Sequence, residues 1–248
     1  MDKTVIKAFR LLETLVETAE PIGITELSQK LDLTKSNVHR TLDTLRNLGY
    51  VDYYPEQRKY QASFKLWEMA TLLSENLDIK RVASRHLIAL GEETGETVHL
   101  CVLSGRNIIY IDKIDSKHHV RPATRIGGSA PTHCVSTGKA ILAFQSSATI
   151  RSVAEKLDQY TPHTIVQKKA FEEELASVRK EGLAINRGEW HVDVIGAAAP
   201  IRNAEGAVVA AVGVSVPTMR ADAESVLKRA PSIKKTAAAI SAALGFQG

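Results

Sequence analysis

A chain of 248 residues has room for one large domain or two small ones, and 44% hydrophobic with 24% charged residues excludes a disordered or fibrous polymer. Only 5% of the residues are aromatic, so the core has to come from Leu, Val, Ile and Ala. A formal charge of +4 is too mild to indicate nucleic acid by itself.

In chain order, Val5, Phe9, Leu12, Val16 and Ala19 recur at helical spacing and predict a first helix with one apolar stripe, stopped by Pro21 and Gly23. Thr25 reads as the N-cap of a short helix with Leu27 and Leu31 inward. After a break at Asp32–Leu33, Thr34 reads as the cap of a longer helix, with Val38, Leu42, Leu45 and Leu48 on its apolar face and Gly49 just past its end. The tyrosine-rich segment 50–63 reads as a hairpin turning at PEQR, followed by a helix in FKLWEMATLL and another capped by Asp78 and ending at Gly95.

Beyond Gly95 the pattern changes. Two apolar runs flank Gly105–Arg106 as a second hairpin, and Gly127, Gly128 and Pro131 mark a turn. Ser136 reads as the cap of a short buried helix. Helices are expected near 147–158 and 168–182, strands at 183–187 and 193–202, a hairpin through NAEG into AVVAAVGVSVP, and one final helix over about 220–244. Strands and helices that do not alternate strictly favour an α+β second domain. Cys101 and Cys134 are too far apart for a zinc-type cluster. MDKTVIKAFRLLETLV carries acids and no continuous apolar core, so it does not read as an export signal, and two reduced thiols in a cytoplasmic protein are expected. The longest apolar run, near 206–217, is too short to span a bilayer. No metal, cofactor or membrane partner is expected.

Two short helices joined by a tight turn and followed by a hairpin describe a winged helix-turn-helix. The side of the second helix opposite Val38, Leu42 and Leu45 carries Ser36, Arg40, Asp43 and Asn47, flanked by Asn37, His39 and Thr44. Such side chains reach base edges, while Thr34, Lys35 and the helix start suit phosphates, and Arg58, Lys59 and Tyr60 sit where a wing would touch DNA. A solvated polar face has the same composition. Seven bases against four acids between residues 30 and 65 do not decide between the two.

KAFRLLETLVETAEPIGITELSQKLDLTKSNVHRTLDTLRNLGYV resembles the winged-helix domain of IclR-type transcriptional regulators. RIGGSAPTHCVSTGKAILA and GLAINRGEWHVDVIGAAAPIRNAEGAVVAAVGVSVP resemble that family's glycine turn, Gly-Lys-Ala helix start and signature strand pair. The resemblance implies a DNA-binding domain at 1–75, a linker helix at 76–95, and an effector-binding and oligomerisation domain at 96–248 with a curved antiparallel sheet. It implies a ligand-responsive regulator that binds a double-stranded, pseudo-palindromic operator as a homodimer or tetramer and responds to a small organic acid. Family members that bind small acids carry Asp, Cys and two serines where this chain has Asn186, Gly196, Gly213 and Ser215. The smaller replacements favour an aromatic or sugar-derived acid over one of glyoxylate size. The carboxylate is expected on the N–H groups of Gly127 and Gly128 and at the helix start near Ser136, with Ser215 and Asn186 as further contacts. His133 and Trp190 are candidates for the same site, each equally readable as core packing, and Gly196 and Gly213 equally readable as relief of crowding in strands. Two other readings are a C-terminal domain that only oligomerises and binds no ligand, and an enzyme acting on a small acid with an accessory winged helix. No nucleotide loop, Gly-x-Ser-x-Gly elbow or metal spacing supports the enzyme.

Overall fold

Asp2 accepts hydrogen bonds from the N–H groups of Thr4 and Val5 and starts α1 (Lys3–Glu17). The computed structural model describes residues 2–18, 20–75 and 78–247. They form two units that divide between Leu77 and Asp78.

The first unit contains α1, β1 (Ile22–Gly23), α2 (Ile24–Leu31), α3 (Lys35–Asn47), β2 (Val51–Tyr54), β3 (Lys59–Ala62) and α4 (Lys65–Glu75). Thr34 caps α3 by accepting from the Asn37 N–H. Gly49 ends that helix at φ 82°, with Tyr50 N–H bonded to Leu45 O and Gly49 N–H to Arg46 O, a Schellman closure that needs a left-handed residue. Thr25 is not a cap. Gly23 holds that position without a side-chain bond, because Ile22–Gly23 is a short strand paired with Lys59–Tyr60 and delivers the chain directly into α2. The sheet order is β1-β3-β2, all antiparallel.

The core of this unit is Leu11, Leu15, Ile22, Leu27, Val38, Leu42, Leu45, Val51 and Tyr60. It departs from the sequence reading on α1. Of the predicted stripe, Val5, Phe9 and Val16 are exposed, Leu12 is half-buried against the core and Ala19 lies outside the described residues, while the fully buried side is Leu11 and Leu15. Leu48 is also exposed, since it falls at the helix cap rather than on the buried face.

The second unit contains α5 (Asp78–Thr94), β4 (Thr97–Ser104), β5 (Asn107–Ile114), β6 (Ser129–Pro131), α6 (Ser136–Leu142), α7 (Ser147–Ala154), α8 (Lys168–Glu181), β7 (Ala184–Arg187), β8 (Val194–Arg202), β9 (Val208–Pro217), α9 (Ala223–Leu227) and α10 (Ala230–Ala243). One curved antiparallel sheet runs β6-β5-β4-β9-β8-β7. α6 packs against β4, β8 and β9, with α8 beside it, while α5 packs on β4, β5 and α10. The fold is α+β.

Three local expectations are corrected. Asp78 is the first residue of α5, pairing with Arg81 at 3.2 Å, and the position before it lies outside the described residues. Ser136 is the first helical residue of α6 behind a Val135 cap without a side-chain bond, because a 3-10 turn over Thr132–Cys134 leads straight in. The terminal helix is two, with Asp222 capping α9 and a break at Lys228–Arg229 before Pro231 in the first turn of α10.

Candidate functional site

Two surfaces carry the chemistry, one in each unit. In the first, α3 presents Lys35, Ser36, His39, Arg40 and Thr44 to solvent, with Asn37 half-buried. The polar side chains order one another along the helix. Arg40 Nη2 donates to Asn37 Oδ1 at 3.0 Å, Thr44 Oγ1 donates to Arg40 O at 3.0 Å, and His39 Nδ1 lies 3.2 Å from Asp43 Oδ2. These pairs leave Ser36, Arg40 and the helix start on the outer face, the arrangement a recognition helix requires. In the wing, Arg58 is exposed at φ 52° in the turn and Lys59 is half-buried. Tyr60 does not belong to this face. It is 4% exposed, packs 4.7 Å from the Tyr53 ring, and is part of the core, because strand alternation turns it inward between Lys59 and Gln61.

In the second unit a cavity of about 300 Å³ opens over the α6 side of the sheet. The pairing registers explain its floor. Asn186, Gly196, Ser215 and Thr97 align across four strands, and Ala184, Ala198, Gly213, His99 and Lys113 align in the adjacent row on the same face. Ser136 and Thr137 from α6, Trp190 and His191 from the 188–193 turn, and the 120–124 segment close the sides. The Thr124 carbonyl accepts from Lys113 Nζ at 2.6 Å and the Val120 carbonyl from Arg220 Nη1 at 2.6 Å, so this irregular wall is pinned at two points. Arg121 at the cavity has an exposed guanidinium, 3.6 Å from Asp115.

Of the residues read from the sequence, Asn186, Trp190 and Ser215 line this cavity. Asn186 is mainly a brace. Its Oδ1 accepts from the N–H groups of Gly188 at 2.9 Å and Glu189 at 3.0 Å, which fixes the turn carrying Trp190. Beneath that turn Lys139 is fully buried between Glu174 and Glu189, at 2.8 Å from each carboxylate. Thr161 and Thr164 donate to the carbonyls of Gly188 and Glu189 at 2.7 and 2.6 Å.

The glycine expectations do not hold. Gly127 N–H donates to Tyr110 O at 2.8 Å and Gly128 N–H to Arg125 O at 3.0 Å, so both groups are committed to the turn and cannot cradle a carboxylate. Nor do Gly196 and Gly213 leave free volume. A Cβ on Gly196 would lie 2.5 Å from Val214 O, and one on Gly213 would lie 2.8 Å from Ala198 Cβ and 2.9 Å from Thr137 Cγ2. These glycines let the sheet and α6 meet closely. His133 is a core histidine: its Nε2 lies 3.0 Å from Asp158 O, its ring sits edge-on to Phe171, and burial lowers its pKa.

The sequence reading missed His99 and Tyr110. His99 is 2% exposed, faces the Tyr110 ring at 5.0 Å, and lines the cavity with neither ring nitrogen hydrogen-bonded among the described residues. Burial and then the Lys113 charge lower its pKa to about 4, against a smaller opposing effect of Asp115. Burial raises Tyr110 above its ordinary value. A lone histidine inside the otherwise apolar strand run TVHLCVL was the available signal.

Comparison with known proteins decides what these two surfaces belong to. Residues 4–55 match the IclR helix-turn-helix domain, and residues 71–242 match the bacterial transcriptional regulator IclR C-terminal domain. The chain belongs to the IclR family. It is 32% identical to the HTH-type transcriptional regulator XynR of Escherichia coli strain K12 over 246 residues, covering 98% of each chain. It is 34% identical to the E. coli HTH-type transcriptional regulator KdgR over 245 residues, covering 98% of this chain and 93% of that one. The crystal structure of Thermotoga maritima IclR superposes with a TM-score of 0.77 at 27% identity, over 98% of this chain and 99% of that one. An IclR-family chain with such relatives is a DNA-binding transcriptional regulator and not an enzyme. Cys101 and Cys134 are free and buried, and burial raises both to about 12, so neither is an activated nucleophile. No helix of the described residues is long and apolar enough to cross a membrane.

Proposed function

We propose that this IclR-family regulator acts in the cytoplasm, binds a pseudo-palindromic operator through α3 and the wing, and is controlled by an organic acid larger than glyoxylate held in the cavity of the second unit. The division of labour is 1–75 for DNA and dimer contact, α5 as the linker helix and 96–248 for effector binding. On DNA, Thr34, Lys35, Ser36, Asn37, His39, Arg40 and Thr44 with Arg58 and Lys59 form the contact set, and Tyr60 is withdrawn from it.

The observation that carries the effector reading is the cavity itself. At about 300 Å³ it sits at the lower end of small-molecule sites, about 300–1,000 Å³. It would hold roughly ten waters at about 30 Å³ each, so a two-carbon acid leaves most of it unfilled. Arg121 supplies the cation for a carboxylate, Ser136, Thr137 and Ser215 supply hydroxyl donors, and Trp190 supplies a wall. The test is calorimetric titration of the full chain with a series of organic acids from two to eight carbons. Binding by the longer acids and not by glyoxylate supports the reading, and binding by none of them overturns it.

The oligomer reading rests on α1 and α4. Val5, Phe9 and Val16 on α1, Leu48, and Phe64, Trp67 and Met69 on or beside α4 are all exposed. An apolar surface of that extent on a soluble regulator is an interface, and a second copy of the chain is its occupant, because two recognition helices are needed for an inverted repeat. Sedimentation of Trp67→Glu should show a monomer where the parent is at least a dimer. A parent monomeric at micromolar concentration while tightly bound to operator DNA would overturn the reading.

A further inference from the structure

We infer that the cavity takes a polyhydroxylated carboxylic acid, an open-chain sugar acid of four to six carbons, and that His99 selects it by hydrogen-bonding to the hydroxyl groups of its body. The inference rests on the reading of the cavity as an acid site and narrows it from the polar atoms the fold leaves unsatisfied.

His99 is placed by the sheet, between Lys113 on β5 and Gly213 on β9. Gly213 has no side chain, so Thr137 of α6 comes down onto the sheet next to the imidazole. The result is a histidine almost wholly removed from solvent whose Nδ1 and Nε2 have no partner among the described residues. Thr124 Oγ1, on the 120–124 wall, is buried and unpartnered in the same way. Native proteins leave few such atoms, because an unsatisfied buried polar group loses its hydration and gains nothing in return. Both residues line one cavity, so whatever fills the cavity has to supply the missing partners.

The chemistry of those partners follows from the state of the ring. With its pKa lowered to about 4, the imidazole is neutral near pH 7. It then offers one N–H donor and one bare nitrogen acceptor. A carboxylate only accepts, so it could meet the N–H and not the bare nitrogen. An alkyl or aryl body could meet neither. A hydroxyl both donates and accepts, and neighbouring hydroxyls on a chain meet both ring nitrogens and leave a third for Thr124. Between the aromatic and sugar-derived classes, this favours the second. Trp190 and Tyr110 remain as flat walls for the carbon skeleton.

The experiment is calorimetric titration of the full chain with L-threonate, D-arabinonate, D-gluconate and D-galactonate, each against the deoxygenated acid of equal length (butanoate, pentanoate or hexanoate), and with benzoate. It is repeated for His99→Leu, His99→Gln and Thr124→Val, with circular dichroism and melting curves to confirm folding. At least one polyhydroxy acid should bind the parent about tenfold or more tightly than its deoxygenated counterpart, the worth of one or two good hydrogen bonds. His99→Leu should erase that preference while leaving affinity for the deoxygenated acid unchanged or improved. His99→Gln, which keeps a donor and an acceptor, should retain part of it. Thr124→Val should lose severalfold and provides the test if His99→Leu does not fold. Equal affinity for the hydroxylated and deoxygenated series, tighter binding of benzoate, or an undiminished preference in the folded His99→Leu or Thr124→Val chain overturns the inference and leaves the acid reading standing. Failure of every carboxylate to bind overturns both.

Discussion

Replacing Lys139 with Met keeps the length of the side chain and removes the charge that two carboxylates share. Lys139 is fully buried, Glu189 is 2% exposed and Glu174 is 18% exposed, with both oxygens 2.8 Å from Nζ. Breaking a buried pair by deleting one partner costs about 3–5 kcal/mol, because the remaining charge is left uncompensated. Glu174 is partly wet and has Arg187 at 3.6 Å as a second cation, so the lower end applies. For a unit of this size about 3 kcal/mol corresponds to a melting temperature lowered by roughly 6–12 °C. Glu189 also accepts from Arg187 N–H and donates its own N–H to Asn186, so the turn carrying Trp190 should loosen and acid affinity should fall with stability. The assay is thermal unfolding followed in the second unit, which melts separately from the first if the two are independent. Combining Lys139→Met with Glu189→Gln should recover a substantial part of the loss, since it removes the stranded charge. A Lys139→Met chain that melts within 1–2 °C of the parent, or a double variant less stable than the single, would refute the reasoning.

Three further outcomes follow from the geometry. His99 is neutral in the fold with a pKa of about 4 against about 6.5 when unfolded, so its contribution is complete above pH 6.5 and is lost as pH falls towards 4, by at most roughly 3 kcal/mol. His99→Gln should therefore flatten the acid limb of the stability profile between those values, and an unchanged limb would show that the ring is not held neutral. Gly138→Ala would press a Cβ against the Thr132 carbonyl, backbone that cannot swing aside, and Gly213→Ala would press one onto Ala198 and Thr137. Each should destabilise by about 1–3 kcal/mol in urea unfolding, the first more than the second, and tolerance of both would mean that α6 sits higher on the sheet. Arg40→Ala should weaken operator binding by about 1–3 kcal/mol, whereas Tyr60→Phe should leave it unchanged, measured by titration of operator duplex at fixed salt. A large loss in Tyr60→Phe would return that ring to the DNA face.

Much of the architecture was legible because periodicity and punctuation agree. Thr34 and Gly49 frame α3 by a cap and a left-handed closure that sequence states directly, and the hairpins around Gly105 and NAEG announce themselves. What failed was the inference from an apolar stripe to burial. Val5, Phe9 and Val16 have the right spacing, but spacing cannot tell a core face from an interface face, and Leu11 and Leu15 were the residues the unit buries. The two-residue strand Ile22–Gly23 has no pattern of its own, since it exists only through its pairing with β3. At the cavity, the resemblance points to Asn186 and Ser215, which line it, and leaves Trp190 open between packing and wall, whereas the glycine expectations fail because sequence does not show what opposes a missing side chain. Gly127 donates to Tyr110 on β5 and Gly128 to Arg125 of its own turn, and Gly196 and Gly213 are closed over by neighbouring strands and α6. His99 escaped notice because its significance is that it has no partner, which only the packed structure reveals.

Control of operator binding by the acid requires that the cavity of the second unit and the α3 face of the first be coupled. Trp190 lines the cavity and Trp67 lies on α4, so Trp67→Phe leaves one reporter in the site. The decisive measurement titrates the best-binding acid into that chain, free and saturated with an operator duplex selected from random sequence, while following Trp190 emission. Coupling between sites is reciprocal, so the acid affinities of the free and DNA-bound chains should differ by about 5–150-fold, matching the factor by which the acid changes operator affinity. Identical acid affinity in the two states would contradict the account.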